Sequence, residues 1–174
     1  MGKPHGIIIF GANGSGKTTI GRELARILGF KHIDHEDYAF HKSDIPYTNP
    51  RTEDECIELM LTDIEKYGSF VLSAVTGDFG DEIVPLYDLA VYLNAPHGLR
   101  MERIKQREID RFGDRVLEGG DMFERQQEFH SFVTARNLAR IEKWAETLNC
   151  PVIQIDSTKD YRQIAIDIAN RFLK

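Results

Sequence analysis

The sequence predicts an α/β protein, a five-stranded parallel sheet with helices on both faces. Two observations carry this prediction. Short apolar runs of strand length alternate along the chain with segments of helical period. The first such run leads through a glycine-rich loop straight into an amphipathic helix. Parallel strands need crossover connections long enough to hold a helix, so regular strand–helix alternation yields a parallel sheet covered on both sides.

Ile7–Phe10 is continuous, β-branched and bounded by glycines, as expected of a strand buried on both faces. Ile20, Leu24, Ile27 and Leu28 then recur at helical spacing, and Gly29 supplies the stop. His32–Asp34 is short enough for a second strand, and the polar, proline-containing stretch 35–50 predicts a loop. Thr52-Glu-Asp-Glu55 is a capping box, followed by an apolar face at Cys56, Ile57, Met60, Leu61 and Ile64 that ends near Gly68. Phe70–Val75 and Leu89–Leu93 predict the third and fourth strands. Leu99–Arg111 and Met122–Leu148 predict helices around a charged, glycine-bearing turn, 112–121. Val152–Ile155 is the fifth strand, and Tyr161, Ile164, Ala165, Ile168 and Phe172 mark the last helix.

The bulk chemistry narrows the function. The 174 residues fit one domain able to bury its own core. With 22 Lys+Arg against 28 Asp+Glu the net charge is −6, which argues against a general nucleic-acid binder. No apolar stretch approaches a membrane span, and no secretory leader is visible. Cys56 and Cys150 form neither a CxxC pair nor a metal spacing, so reduced thiols and a cytoplasmic location are expected. The six histidines have no metal-ligand spacing either.

One motif carries specific chemistry. Gly11-Ala-Asn13-Gly14-Ser15-Gly16-Lys17-Thr18 matches G-x-x-x-x-G-K-[ST] in full, and Thr19 continues it into the helix. Glycines let the backbone curl until several N–H groups face the same phosphate oxygens, and the helix N-terminus adds its positive dipole. Lys17 reaches the β/γ-phosphates, and the Thr18 hydroxyl meets Mg²⁺. Position between a buried strand and a helix distinguishes this P-loop from a chance surface turn. A dinucleotide fingerprint does not fit, because Gly14-Ser-Gly16 has no third glycine at the required spacing.

On these residues the chain resembles the small P-loop kinases of the shikimate, gluconate and adenylate kinase group. It also resembles short bacterial proteins described only as AAA-type ATPases or putative kinases. The resemblance covers nearly the whole chain. It implies a P-loop NTPase fold in one domain, 1–174, with strand order 2-3-1-4-5 and a mobile lid at about 107–121. Shikimate kinases carry Asp-x-Asp after the second strand, near Mg²⁺ and the acceptor hydroxyl. Here Asp34 and Glu36 match it, with Asp37 one step on, and which of Glu36 or Asp37 is the second acid stays open. Arg103 and Arg107 resemble the Arg-x-x-x-Arg at the start of the adenylate kinase lid; Arg111 and Arg115 extend the series. Residues four apart share a helix face, so two guanidiniums can clamp nucleotide and transferring phosphoryl, though pairing with Glu102 and Glu108 is an alternative. Arg136 resembles the post-lid substrate arginine. Arg51 resembles the substrate arginine of a Phe-Arg-x-x-Glu pattern, with Pro50 in place of the Phe. Asp78, in Thr76-Gly-Asp-Phe-Gly80, falls where such kinases place a glycine-rich substrate loop. Protein-kinase chemistry is excluded despite that Asp-Phe-Gly spelling, since no His-Arg-Asp loop accompanies it.

The expectation is therefore a small-molecule phosphotransferase using ATP and Mg²⁺. Lys17, Asp34 and Arg107 are the expected catalytic residues. The P-loop from Gly11 to Thr19, with Arg103 and Arg107, binds nucleotide, and Thr18 and Asp34 attend the metal. Glu36, Asp37, Arg51, Asp78 and Arg136 are assigned to the acceptor. Alternatives from the same parts are a nucleoside monophosphate kinase or an ATP-binding and hydrolysing switch protein.

Overall fold

The computed structural model describes residues 3–174. Five strands form one sheet: β1 (Gly6–Phe10), β2 (Lys31–Asp34), β3 (Phe70–Ala74), β4 (Tyr87–Asn94) and β5 (Val152–Asp156). Their spatial order is β2-β3-β1-β4-β5, and every pairing is parallel. The order matches the one implied by the P-loop kinase resemblance. From β1 the chain crosses to β2, whereas from β3 it crosses the other way to β4. The adjacent carboxyl ends of β1 and β3 therefore flank a crevice, the place where parallel α/β sheets bind ligands.

The central strands bury both faces, which is why they read as continuous apolar runs. Ile7 and Ile9 enter one core layer with Ile20 and Leu24 of α1 (Lys17–Leu28) and with Ile164, Ala165 and Ile168 of α8 (Tyr161–Phe172). Ile8 and Phe10 enter the other, against Met60 and Ile64 of α3 (Glu53–Tyr67) and Ile141 and Trp144 of α7 (Ala139–Ala145). The period-two alternation of Cβ directions thus sorts one pentapeptide into two cores. The predicted capping box is present: Glu55 N–H donates to Thr52 Oγ1 at 3.2 Å, and Thr52 N–H to Glu55 Oε2 at 2.8 Å.

Three stretches differ from the sequence expectation. The polar segment after β2 begins as a short helix, α2 (His35–Ala39), capped by Asp34. A further turn, α4 (Gly80–Ile83), runs into the 3-10 turn Val84–Leu86. The single helix expected over 122–148 is two, α6 (Phe123–Ala135) and α7, with Arg136 extended between them. Apolar residues on both sides of the break hid it, because helical periodicity resumes after a three-residue interruption. The helix before the charged turn, α5 (His97–Phe112), matches its expectation closely.

Candidate active site

The P-loop leaves β1 at Gly11, whose N–H donates to Val75 O of the neighbouring β3 end at 3.2 Å. Gly14 sits at φ 79° against the backbone of Arg100, where a side-chain Cβ would collide with the Arg100 carbonyl. Gly16 caps α1 from the left-handed region at φ 95°. Both positions need glycine, and the resulting loop aims the start of α1 into the crevice.

Lys17 opens α1, and its ammonium donates to Ala12 O at 2.9 Å. Burial pulls its pKa down to about 8; Glu36 and Asp34 oppose that shift, while Arg107 and Arg136 add to it. A desolvated ammonium with one carbonyl partner is suited to an incoming anion, which would restore its solvation. Thr18 Oγ1 donates to Asp34 Oδ2 at 2.7 Å. Asp34 ends β2, and its other oxygen accepts from Glu36 N–H at 3.2 Å, so one carboxylate both caps α2 and holds the P-loop threonine.

The hydroxyl–carboxylate pair fits Mg²⁺, a hard cation usually held by one or two protein oxygens together with nucleotide phosphates. Among the described residues no group of three or more His, Cys, Asp or Glu converges as a metal cage.

A cavity of about 1090 Å³ runs from this point along the strand ends. Asn13, Gly14, Gly16, Lys17, Thr18 and Thr19 line it with Asp34, Glu36, Asp37, Arg103, Arg107 and Arg136. Glu36 is half-buried and Asp37 exposed. Arg103 donates to Ser157 O at 2.7 Å and reaches Gly14 O at 3.5 Å, and Arg136 donates to Asn13 Oδ1 at 3.1 Å, so helix α5 and the α6–α7 break both touch the P-loop. Gly11 and Ser15 belong to the loop but not to its open wall; Ser15 is buried and its hydroxyl has no partner.

Two expected acceptor residues lie elsewhere. Arg51 does not line the cavity: one of its nitrogens donates to the carbonyls of Phe40 and Tyr38, at 2.7 and 2.9 Å, with a longer contact to that of Asp37. It fastens the chain around α2. Asp78 is exposed and outside the cavity wall, although Thr76 and Phe79 on either side of it line the cavity.

Sequence reasoning also missed residues. Arg100 is 5% exposed, and its guanidinium donates to Asn13 O and Ala95 O, both at 3.2 Å, bracing the P-loop from behind. A signal existed: Arg100, Arg103 and Arg107 fall three and four apart, one helix face. The aromatic lining by His35, Phe40, Tyr47 and Phe79 had none, since these side chains come from a short helix and from irregular segments with no common period.

The fold and crevice define a P-loop protein of the small-kinase type. The chain belongs to the AAA domain family, whose model matches residues 7–127. It is 31% identical over 158 residues to the uncharacterized protein YqaC of Bacillus subtilis, covering 86% of this chain and 87% of that one. A cytidylate kinase of Pyrobaculum islandicum is 31% identical over 131 residues, 64% of this chain and 65% of the relative. In fold the chain is similar to shikimate kinase from Acinetobacter baumannii in complex with shikimate, with TM-score 0.57, 20% identity and coverage of 98% and 93%.

Proposed function

We propose that this protein transfers the γ-phosphoryl of Mg-ATP to a small-molecule acceptor. The observation that carries the proposal is the convergence of Lys17 and the Thr18–Asp34 pair on one crevice, whose wall Glu36 and Asp37 also line. ATP supplies the transferable phosphoryl group, and Mg²⁺, held by Thr18 and Asp34, neutralises its charge. Lys17 places a positive charge at the β/γ-phosphates, and the backbone N–H groups around Gly14–Lys17 hold their oxygens. Arg107 and Arg136 add charge where the equatorial oxygens become more negative in the transition state. A carboxylate of the α2 turn aligns the acceptor. Catalysis is then mainly positioning and charge stabilisation, with little covalent chemistry for the protein.

A lid belongs to the same proposal. It spans about 107–121, and the Glu108 carboxylate, which accepts from His130 at 2.7 Å, ties its α5 end to α6. No helix is long and apolar enough, among the described residues, to cross a membrane. The two free thiols, Cys56 and Cys150, support a cytoplasmic location within this proposal.

The similarity to a cytidylate kinase favours a second reading, a nucleoside monophosphate kinase with a phosphate acceptor. The test is ADP release from Mg-ATP in a panel of sugars, polyols, shikimate-like acids, nucleosides and nucleotides. Acceptor-dependent ADP with phosphate recovered on the acceptor supports transfer. ADP formed at one slow rate whatever is added would instead make the protein an ATP-hydrolysing switch.

A further inference from the structure

We infer that the acceptor is an uncharged alcohol carrying a flat ring, a nucleoside-like molecule, and not an acid or a monophosphate. This rests on the phosphotransferase reading and narrows its acceptor.

The charge of the acceptor wall comes first. An anionic acceptor needs cations beside it, and unpaired like charges in a crevice cost several kcal/mol. The turn after β2 instead presents Glu36 and Asp37. Arg51, the arginine of that region, lies outside the cavity wall, with one nitrogen bonded to backbone carbonyls. Of the cations in the cavity wall, Lys17, Arg103, Arg107 and Arg136 are assigned to the nucleotide and the transferring phosphoryl, and Arg111 is the arginine that lies near Glu36 and Asp37. Its guanidinium already donates to Tyr47 Oη at 3.2 Å.

The chemistry of transfer agrees. A phosphate acceptor attacks with an oxygen already ionised and needs no base. An alcohol must lose a proton: its oxygen forms the new bond to the γ-phosphorus, the bond from that phosphorus to the β,γ-bridging oxygen breaks, and ADP leaves with the electron pair. The proton passes to a carboxylate of the wall. Glu36, half-buried and lining the same cavity as Lys17, is the acid assigned to that role.

The shape of the wall supplies the ring. His35 packs on Phe79 with ring centroids 4.8 Å apart, and Phe40 meets Tyr47 edge-on at 5.3 Å. All four line the cavity. Tyr47 is the sole non-glycine residue with positive φ, 63°, among the described residues. Strain of that kind persists where surrounding contacts hold a residue for a purpose, and here it points an aromatic ring at the crevice. Flat apolar walls with a carboxylate at one end suit a stacked base or similar ring presenting a hydroxyl.

The experiment compares adenosine, cytidine and their 2′-deoxy forms with the matching 5′-monophosphates, shikimate and gluconate, at saturating Mg-ATP, with the phosphorylated product identified by mass. A nucleoside should be phosphorylated with kcat/KM at least about 10-fold above its monophosphate, the discrimination expected when a charged group meets an unpaired site. Tyr47→Ala should raise the nucleoside KM on the order of 10-fold and leave the ATP KM unchanged, whereas Tyr47→Phe, which keeps the ring, should stay near the parent. Preferred transfer to a monophosphate, shikimate or gluconate overturns the inference and leaves the phosphotransferase reading standing. Equal loss in both Tyr47 variants overturns the ring-stacking role. ADP release unaffected by every compound overturns both readings.

Discussion

Lys17 should be a stability defect that ATP repairs. Burial holds its pKa near 8 in the nucleotide-free protein, against an ordinary lysine near 10.5. Below pH 8 the folded protein therefore carries a charged group it would rather lose. The sign follows from linkage: between about 8 and 10.5 the unfolded chain binds more protons than the folded one, so this group's contribution to stability rises with pH across that window. A shift of this size is on the order of 3 kcal/mol, and the part of the side chain that meets solvent at the cleft reduces what is realised to about 1–3 kcal/mol. Lys17→Met removes the charge at similar length. It should stabilise the nucleotide-free protein at pH 7 by that amount, a rise in Tm of roughly 2–10 °C for a chain of this size. The same variant should lose phosphoryl transfer. In the parent, ATP binding by titration calorimetry should take up about half a proton per site at pH 8, and Kd should weaken roughly 10-fold from pH 7 to 9 as the ammonium deprotonates. A Lys17→Met protein that melts below the parent, together with ATP binding indifferent to pH over this range, would refute the reasoning.

Three other outcomes are expected. Asp34→Asn should lower kcat on the order of 10²-fold with the ATP KM little changed, because charge is lost but the cap and the Thr18 contact are kept; near-parental steady-state rates would leave Asp34 a helix cap only. Arg100→Ala should raise the ATP KM about 10-fold by freeing the Asn13 carbonyl, and Arg100→Lys should not rescue it, since one ammonium cannot serve Asn13 and Ala95 with the same geometry; unchanged ATP binding would reduce Arg100 to packing. Hydrogen exchange over 113–122 should slow when an ATP analogue is added, while helix amides around Glu108 and His130 change little; identical exchange with and without nucleotide would mean a static turn.

The sequence by itself determined the parts of this protein that depend on local chemistry. Ile7–Phe10, the glycine loop and the α1 face specify strand, phosphate cradle and helix, because each is encoded by a contiguous period or by residues with special backbone freedom. Thr52 and Glu55 fixed the start of α3 in the same way, through hydrogen bonds three residues long. The meeting of Thr18 and Asp34 was expected as well, but through the resemblance to P-loop kinases, which implies an acid at the end of β2 beside the metal.

Only the tertiary structure decided the rest. It placed Arg51 against the carbonyls of its own loop and Asp78 in solvent, although each has the charge of a ligand residue. It turned Arg100 from one more surface-type arginine into a buried brace on Asn13, 87 residues away in the chain. It also assembled the aromatic wall from α2, the 41–50 loop and the end of the β3–α4 connection. The physical reason is common to all of these. A side chain's charge or ring is set by its residue type, but whether it faces a ligand, a carbonyl or water depends on segments far apart in sequence, and no local period records that meeting.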